Sequence, residues 1–354
     1  MEDKGYHEDF NWFSDSNIKR RIESWIKLAH VCQRWRRVIS LSPHRLNLQL
    51  VCTPKTPARD TLDVLPPFPL IICAITRDVL FPSRVGNIIA ALEHNDRVCQ
   101  IRLDFYSGYP ISYFKNVTNS AAMEKPFPEP THLELRLFLY GLESILPNSF
   151  LGGTTPRLRK LLLKNVPYPG LPKLLLSTTH LIYLSLDDIP RSGYIPPEAM
   201  TTSLSVLTNL ESLHLRFRYP PPRPGSSRRL PPLARSILPR LTEIQFKGAS
   251  EYLEEILARI DAPRLNKLYI AFFNQIIFHT PQLFQFISRR PTLRASKSCS
   301  VTFSSTPLLS SSRYLFSKYS GWKSNVRSQT SSFHPLVRSA PRPCLPFPHW
   351  KAST

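Results

Sequence analysis

The sequence has little glycine and no closely spaced pair of cysteines. The 354-residue chain contains only 11 glycines, and neither G-x-G-x-x-G nor G-x-x-x-x-G-K-[ST] occurs in it. Because those glycines let a backbone approach a phosphate closely, their absence argues against a dinucleotide site or a P-loop. The six cysteines never form C-x-x-C, and H-E-x-x-H and G-x-S-x-G are also missing. We therefore expect no metal site, no cofactor and no enzymatic activity.

Long apolar runs and a signal-peptide pattern are missing as well. The most apolar short stretch, residues 69–75, is far too short to cross a bilayer. The opening Met1-Glu2-Asp3-Lys4 lacks the basic and apolar regions of a signal peptide. Four of the six cysteines lie in apolar stretches, where a reduced thiol behaves as a small hydrophobe. We expect a protein of the cytoplasm or nucleus with no membrane partner.

Proline and positive charge, by contrast, are plentiful. The 35 prolines exclude a fold of long uninterrupted helices, because each ring removes a backbone donor. The formal net charge of +21 is unevenly placed, since residues 289–354 hold eleven Lys and Arg and no Asp or Glu. Net charge therefore gives little support to nucleic acid as a partner. A nucleic-acid binder that uses this tail and the basic loop at 223–229 is the alternative, and its affinity would fall steeply with salt.

A repeated pattern runs along the middle of the chain. L-x-x-L-x-L, with other apolar residues or Pro at some positions, recurs seven times at steps of 23 to 32 residues. Each copy alternates as a strand with one buried face, and helical candidates lie between copies at 87–93, 171–177, 198–207, 252–260 and 281–286. One such unit cannot bury its apolar face alone, so units must stack. The copies begin at Val98, Pro130, Leu158, Leu181, Leu210, Leu241 and Leu265.

The pattern predicts an α/β leucine-rich-repeat solenoid, a curved parallel sheet with outer helices. An ordinary α/β domain is the alternative, but its strands would be almost continuously apolar. Residues between the buried leucines should point to the concave face. That face mixes basic, acidic and tyrosine side chains, which favours a protein partner over a groove that follows a phosphate backbone. A merely solvated sheet face is the alternative. The predicted partner-binding residues are Arg102, Asp104, Glu134, Arg136, Lys160, Lys164, Tyr183, Asp187, His214, Arg216, Glu243, Lys247, Lys267 and Tyr269.

Several segments carry a resemblance to a known family. One has a V-C-x-x-W-R core, and the others are spread through the repeats. They read Leu28-Ala29-His30-Val31-Cys32-Gln33-Arg34-Trp35-Arg36-Arg37-Val38-Ile39, Phe150-Leu151-Gly152-Gly153, Pro156-Arg157-Leu158-Arg159, Leu171-Pro172-Lys173-Leu174-Leu175-Leu176, Ser192-Gly193-Tyr194-Ile195, Ser250-Glu251-Tyr252-Leu253-Glu254 and Phe284-Gln285-Phe286-Ile287-Ser288. The stretch from residue 28 to about 288 resembles the F-box-like leucine-rich-repeat proteins that basidiomycete fungi carry in large families.

The resemblance implies a non-enzymatic substrate-recognition subunit of an SCF-type cullin ubiquitin ligase. In that family a three-helix F-box docks on a Skp-type adaptor, and the repeats hold a protein substrate. The chain departs from the family upstream, because residues 1–27 contain no Leu-Pro and few aliphatic residues. The alternative is an orphan repeat scaffold with a decayed F-box, in which Trp35 only caps the first repeat. An apolar helix face forms the adaptor contact or F-box core, and its residues are Leu28, Val31, Cys32, Trp35, Val38 and Ile39.

Four segments follow from these patterns. They are a partial F-box-like helical segment at 1–42, an N-terminal cap of the solenoid at 43–97, the leucine-rich repeats at 98–288 and a basic Ser/Pro-rich tail at 289–354.

The tail breaks the repeat pattern. A copy due near residue 293 has Ser296 and Ser298 at its leucine positions, and the resemblance stops near Ser288. We expect disorder there, with room for one short strand at Cys299, Val301 and Phe303. A shifted reading frame or a mis-spliced terminal exon would produce such a tail. It would leave residues 265–270 as an exposed apolar edge.

Overall fold

The structure, a computed structural model, divides into two compact units, Met1–Leu181 and Ile182–Thr354. Each unit combines parallel strands with short helices, which confirms the α/β class expected from the sequence. The residues that the structure describes are 31–41, 48–63, 65–76, 82–106, 111–138, 145–220, 235–273, 280–289, 293, 298–304, 311–319 and 321–325.

Strands of the first unit pair in the order in which they occur in the chain, all of them parallel. Helices between consecutive strands return the chain to the same end of the sheet, which is what parallel pairing requires. Apolar residues lie opposite one another across the strands, as Ile101 does to Leu133 and Leu133 to Leu161. The strands are β1 (Leu50–Cys52), β2 (Leu70–Thr76), β3 (Val98–Tyr106), β4 (His132–Phe138) and β5 (Lys160–Lys164).

The core of the first unit lies between the apolar side of this sheet and its helices. Phe114 is fully buried, and its ring meets that of Phe105 edge-on with centroids 5.1 Å apart. Burying one such ring contributes on the order of 2–3 kcal/mol. The helices are α1 (Gln33–Leu41), α2 (Ala58–Leu62), α3 (Pro82–Leu92), α4 (Ile111–Thr118) and α5 (Leu171–Ser177).

The second unit repeats this arrangement. Its main sheet is parallel from β6 through β7, β9 and β11 to β12, and then antiparallel through β13 to β14. Strands β8 and β10 form a separate short parallel pair. The strands are β6 (Tyr183–Ile189), β7 (Ser212–Phe217), β8 (Ser236–Ile237), β9 (Glu243–Gly248), β10 (Ile260–Asp261), β11 (Lys267–Phe273), β12 (Ser298–Ser304), β13 (Ser311–Tyr319) and β14 (Gly321–Asn325).

Aromatic side chains fill the core of the second unit. The Tyr252 ring packs edge-on against Phe217 with centroids 4.7 Å apart, and its buried hydroxyl donates to the Ile195 carbonyl at 3.0 Å. That bond satisfies the one polar atom of a ring that otherwise packs as a hydrophobe. The helices of this unit are α6 (Pro197–Ser205), α7 (Ser250–Arg259) and α8 (Pro281–Ser288).

The helices expected between the leucine-bearing strands are confirmed. Residues 171–177 form α5 as predicted, and the other four candidates correspond to α3, α6, α7 and α8 with shifted ends.

The parallel sheet begins earlier than the repeat pattern predicts. Residues 43–97, the predicted N-terminal cap of the solenoid, contain β1 and β2, and β2 pairs with β3 up to Thr76 opposite Phe105. Strand β2 is apolar almost throughout, with both Ile71 and Ile72 buried. A strand buried on both faces loses the alternation by which the other strands were recognised.

The tail differs from the expected disorder over part of its length. Strand β12 pairs with β11 from Tyr269 opposite Ser300 to Phe273 opposite Ser304, so the strand anticipated there is present. Of the edge expected to be exposed at 265–270, β12 therefore pairs with the last two residues, Tyr269 and Ile270. Residues 221–234, which include the basic loop at 223–229, lie outside the described residues, as do 326–354.

Candidate functional site

The apolar stripe that the sequence assigns to an adaptor contact or a core lies partly on helix α1, which holds Trp35 and Val38, while Val31 and Cys32 come just before it. Val31, Trp35 and Val38 are 64%, 45% and 43% exposed, and Cys32 is exposed as well. These four side chains are therefore exposed in the structure, and residues 1–30, which would complete an F-box, lie outside the described residues. Leu28 lies outside the described residues, and so does the side chain of Ile39.

Charged side chains of the first unit line the sheet face opposite its buried leucines. We call this set the first ladder face, and it comprises Arg102, Asp104, Glu134, Arg136, Lys160 and Lys164. Strand register places Arg102 opposite Glu134, Asp104 opposite Arg136, and Arg136 opposite Lys164. Because neighbouring parallel strands lie about 4.8 Å apart, these side chains are within reach of one another. The backbone register thus places the residues of the first ladder face on one side of the sheet, as predicted.

Two carboxylates of the first ladder face are held by two guanidiniums. Arg102 donates through Nε and Nη2 to Oδ2 of Asp104, at 3.1 and 2.9 Å. The Arg136 guanidinium lies 2.6 Å from Oε1 of Glu134, and Arg102 Nε lies 3.7 Å from the same oxygen. Asp104 is fully buried and Glu134 nearly so. Burial of this kind needs ionic partners, which both arginines supply.

The local environment shifts the pKa values of this cluster. Burial raises the pKa of Glu134 above its usual range, although Arg136 and Arg102 oppose that effect. Burial alone would lower the pKa of Arg102, but Asp104 and Glu134 outweigh it and raise the value. Next to the cluster, burial and the nearby Lys160 and Arg159 lower the pKa of His132. His132 is therefore neutral at physiological pH and adds no charge to the face.

An aromatic stack closes the carboxyl end of the first ladder face. The rings of Tyr106 and Phe138 are parallel within 5°, with centroids 4.4 Å apart, and Lys164 Nζ lies 5.2 Å from the Phe138 centroid. The leucine pattern identifies neither ring, because both lie beyond its last position. Tyr106 and Phe138 lie two residues after Asp104 and Arg136. Because alternate residues of a strand share a face, this spacing indicates that both rings belong to the first ladder face.

Side chains of the second unit form a corresponding set, the second ladder face. It comprises Tyr183, Asp187, His214, Arg216, Glu243, Lys247, Lys267 and Tyr269. The Tyr183 hydroxyl lies 3.1 Å from His214 Nδ1, and His214 Nε2 lies 3.4 Å from Oε1 of Glu243. Lys267 Nζ is 3.8 Å from Oε2 of the same carboxylate. The nearby His214 ring, opposed by burial, lowers the pKa of Glu243.

The remaining pair of the second ladder face, Asp187 and Arg216, lies beside a break in strand register. Register shifts between Leu186 and Ile189, and Asp188 adopts a left-handed φ of 51°. Asp187 there accepts from the Asp188 backbone N–H at 3.0 Å and lies 3.2 Å from Arg216 Nε. The structure thus joins Asp187 to Arg216. Lys247 and Tyr269 share the same face and are half-buried.

No group of three His, Cys, Asp or Glu side chains that could hold a metal ion occurs among the described residues. Burial raises the pKa of the Cys52 and Cys99 thiols to about 11, so both are protonated and unreactive at neutral pH.

One open hollow of about 470 Å³ lies on the helix side of the first unit. Helices α3 and α4 line it, with Val85, Ile89 and Tyr113 among its walls and Lys115 and Asn116 at its rim. The residues predicted to bind a partner are not among those that line it.

None of the described helices has the length and apolar character that crossing a bilayer would need. Comparisons with protein-family models, with curated proteins and with solved structures find no match to this chain.

Proposed function

We propose that this protein is a non-enzymatic, protein-binding subunit. In this proposal the strand–helix units are leucine-rich repeats of a solenoid, and the two ladder faces hold a protein substrate. Helix α1 belongs to a partial F-box and docks on a Skp-type adaptor of an SCF-type cullin ubiquitin ligase. The protein then selects substrates, and the ligation chemistry belongs to other subunits.

The observation that carries the proposal is the alternation along the strands. In β7, Leu213 and Leu215 are buried, whereas His214 and Arg216 between them are half-buried on the opposite face. Strand β9 repeats this order in register, so charged side chains stand in rows on a rigid support. A rigid face with mixed charge and aromatic residues is suited to binding a protein, because little conformational freedom is lost there.

Backbone geometry near the carboxyl ends of two strands, β5 and β6, supports the repeat interpretation. Asn165 follows Leu163 by two residues and has φ 55°, and Asp188 stands two residues after Leu186 with φ 51°. Asn and Asp tolerate this left-handed conformation better than other non-glycine residues. Asn165 also donates to the Leu137 carbonyl in the preceding strand at 3.0 Å, so one strand–helix repeat secures its neighbour.

The exposed stripe of α1 supports the adaptor contact. A half-exposed Trp35 flanked at helical spacing by Val31 and Val38 presents an aromatic anchor to solvent. Such anchors dominate the energetics of protein interfaces. An orphan scaffold with a decayed F-box is the second candidate, and the sequence of residues 1–27 favours it because Leu-Pro is missing.

Affinity purification of the full chain with mass spectrometry tests both candidates. Trp35→Ala should abolish capture of a Skp-type adaptor, while Phe284→Ala, which removes a similarly exposed ring from α8, should leave it unchanged. Because Trp35 is half-exposed, its replacement should cost only about 1 kcal/mol of stability. Thermal melting of each variant checks that folding is intact. Absence of any adaptor with the unaltered chain would rule out the ligase proposal.

The orphan-scaffold candidate has its own test. Introducing a Leu-Pro-containing first helix into residues 1–27 should switch adaptor capture on if that half alone has decayed. A repaired chain that still captures no adaptor would remove the support for decay.

A further inference from the structure

One row of side chains crosses the second ladder face from β6 to β11. Strand register places Arg216 of β7 opposite Lys247 of β9, and Lys247 opposite Ala271 of β11. On the other side of Arg216, Oδ1 of Asp187 in β6 lies 3.2 Å from its Nε. In strand order the row is therefore an acid, two bases and a small apolar residue.

The two bases of this row have different surroundings. Arg216 has the carboxylate of Asp187, whereas within the described part of the chain no acidic group or hydrogen-bond acceptor contacts the Lys247 side chain. Ala271 has only a methyl group to offer from β11. Lys247 is half-buried and lies next to a second positive charge. Like charges directly opposite on neighbouring strands are destabilising, so an anion placed between them would be favoured.

Lys267, the third cation of the second ladder face with a long side chain, is placed differently. Its Nζ lies 3.8 Å from Oε2 of Glu243, and Oε1 of the same carboxylate lies 3.4 Å from His214 Nε2. Both carboxylates of this face thus have basic partners, Glu243 at one end and Asp187 at the other. Lys247 is the cation of this set that has none.

We propose that Lys247, together with Arg216, binds the carboxylate of an acidic residue in a partner protein. This inference rests on the proposed protein-binding function and names the chemical group that this part of the face recognises. A guanidinium has more N–H donors than one carboxylate can occupy, and the Arg216 side chain is 42% exposed. A carboxylate over the row can therefore accept from both cations, and charge-assisted hydrogen bonds are stronger than neutral ones.

The charge of the row favours a carboxylate over a phosphate. Arg216 and Lys247 are positive and Asp187 is negative, so one negative charge balances the three groups. A phosphate monoester carries about two negative charges at neutral pH, and Asp187, 16% exposed beside Arg216, would repel it. The next charged residues along the chain, Asp188 and Arg218, each make interactions of their own.

Fluorescence anisotropy with the full chain tests the proposal. The probe is a fluorescein-labelled decapeptide of alternating serine and glutamate, because alternate residues of an extended segment face the same side. Two further probes are the same peptide with phosphoserine in place of glutamate and a labelled deoxythymidine decamer. The binding variant is Lys247→Gln. Its control is Lys125→Gln, which removes the same charge from an exposed lysine of the first unit, because the basic tail attracts any polyanion.

A second pair of variants supplies a carboxylate from within the chain. Ala271→Glu places one directly opposite Lys247 on the neighbouring strand, and Ala271→Gln adds a side chain of the same size without the charge. The new carboxylate should pair with Lys247 and compete with the probe. We therefore expect Ala271→Glu to bind the glutamate peptide about tenfold more weakly than Ala271→Gln, and to melt at a higher temperature.

Lys247→Gln should weaken binding of the glutamate peptide about tenfold, whereas Lys125→Gln should change it by less than about twofold. A melting temperature of Lys247→Gln no lower than that of the unaltered chain verifies the fold. Equal losses in both lysine variants, or none in either, would overturn the proposal, as would equal binding by the two Ala271 variants. A phosphoserine peptide or a decamer that binds more tightly and loses affinity only in Lys247→Gln would overturn it in favour of a phosphate ligand.

Failure here can be distinguished from failure of the proposed function. If peptide binding is the same with and without Lys247 while the chain still captures an adaptor and client proteins, only the carboxylate contact is wrong. If the chain captures no protein at all, the protein-binding function itself fails.

Discussion

The Glu254 carboxylate in α7 accepts hydrogen bonds from the backbone N–H groups of Gln282 and Leu283 in α8, at 2.7 and 2.8 Å. The first turn of a helix has N–H groups without intrahelical partners, and a negative charge there also interacts favourably with the helix dipole. Thr280, the residue before α8, makes no side-chain cap bond, and Pro281 has no N–H to satisfy. One helix thus caps the next.

Replacing Glu254 should destabilise the second unit. We expect Glu254→Ala to lower the free energy of unfolding by about 1–2 kcal/mol, because two charge-assisted bonds and a dipole interaction are lost together. Urea denaturation followed by circular dichroism measures this. Glu93→Ala, at an exposed carboxylate that follows α3, is the control and should change the value by less than about 0.5 kcal/mol. Equal effects in both variants would contradict the capping role.

The buried pair Arg102 and Asp104 should behave as a coupled unit. Asp104→Leu leaves a largely buried guanidinium without its closest carboxylate and should cost about 3–5 kcal/mol. Combining it with Arg102→Met should recover part of that loss, because two apolar side chains then replace two charges. A double-mutant cycle from denaturation midpoints gives the coupling energy. Additive single effects would show that the pair does not act together.

Much of this fold is predictable from leucine spacing. Positions such as Leu213 and Leu215 are buried because a strand with one apolar face must turn that face to the helices, and the alternation shows which face that is. Helix α5 follows equally well, since Pro172 in its first turn marks its start. The same periodicity places the ladder residues on one face, because alternate residues of a strand share a side.

The rest depends on contacts that a single strand does not encode. Whether Asp104 is buried or exposed is decided by Arg102 and by neighbouring strands, and the sequence pattern alone treats all face residues alike. The apolar stripe at Trp35 and Val38 has the same sequence pattern whether it is a buried core or an exposed contact surface. Only the packing of other segments against it distinguishes the two. Strand β12 lacks leucines at the pattern positions, yet backbone pairing with β11 depends little on side-chain identity.

Acid should destabilise the second unit through Glu243. Because its pKa in the folded state lies below the ordinary value of 4.5, the unfolded chain binds a proton more readily there. The contribution of Glu243 to the free energy of unfolding is therefore fully present above about pH 4.5. It is lost as pH falls through the pKa of Glu243 in the folded state. We expect Glu243→Gln to flatten the decline in unfolding free energy between about pH 5 and pH 3. Glu211→Gln, at an exposed residue beside the same strand row, should leave the slope unchanged.

Shortening the chain to end at Ser288 should lower its solubility. The change removes β12 and leaves the outer edge of β11 without the strand that pairs with it from Tyr269 to Phe273. An open apolar strand edge promotes association between molecules. Sedimentation of the shortened and full chains at equal concentration and ionic strength compares their association. A shortened chain that stays monomeric where the full chain aggregates would show that the tail, and not the edge, causes aggregation.

Three glycines give a graded test of the local geometry in the first unit. Gly86 lies inside α3, and no atom would come within 4 Å of a Cβ added there, so Gly86→Ala should stabilise the protein by about 0.5–1 kcal/mol. Gly153 has φ 70°, and the nearest atoms to an added Cβ belong to the flexible Lys173 side chain at 3.8 Å. Gly153→Ala should therefore cost only the left-handed conformation, about 1–2 kcal/mol. At Gly152, with φ 62°, a Cβ would lie 2.7 Å from Pro126 Cα, so backbone strain and a steric clash add and the loss should exceed about 2 kcal/mol. Thermal melting of the three variants should rank them in that order, and a Gly152→Ala variant as stable as Gly86→Ala would contradict the close approach of Pro126.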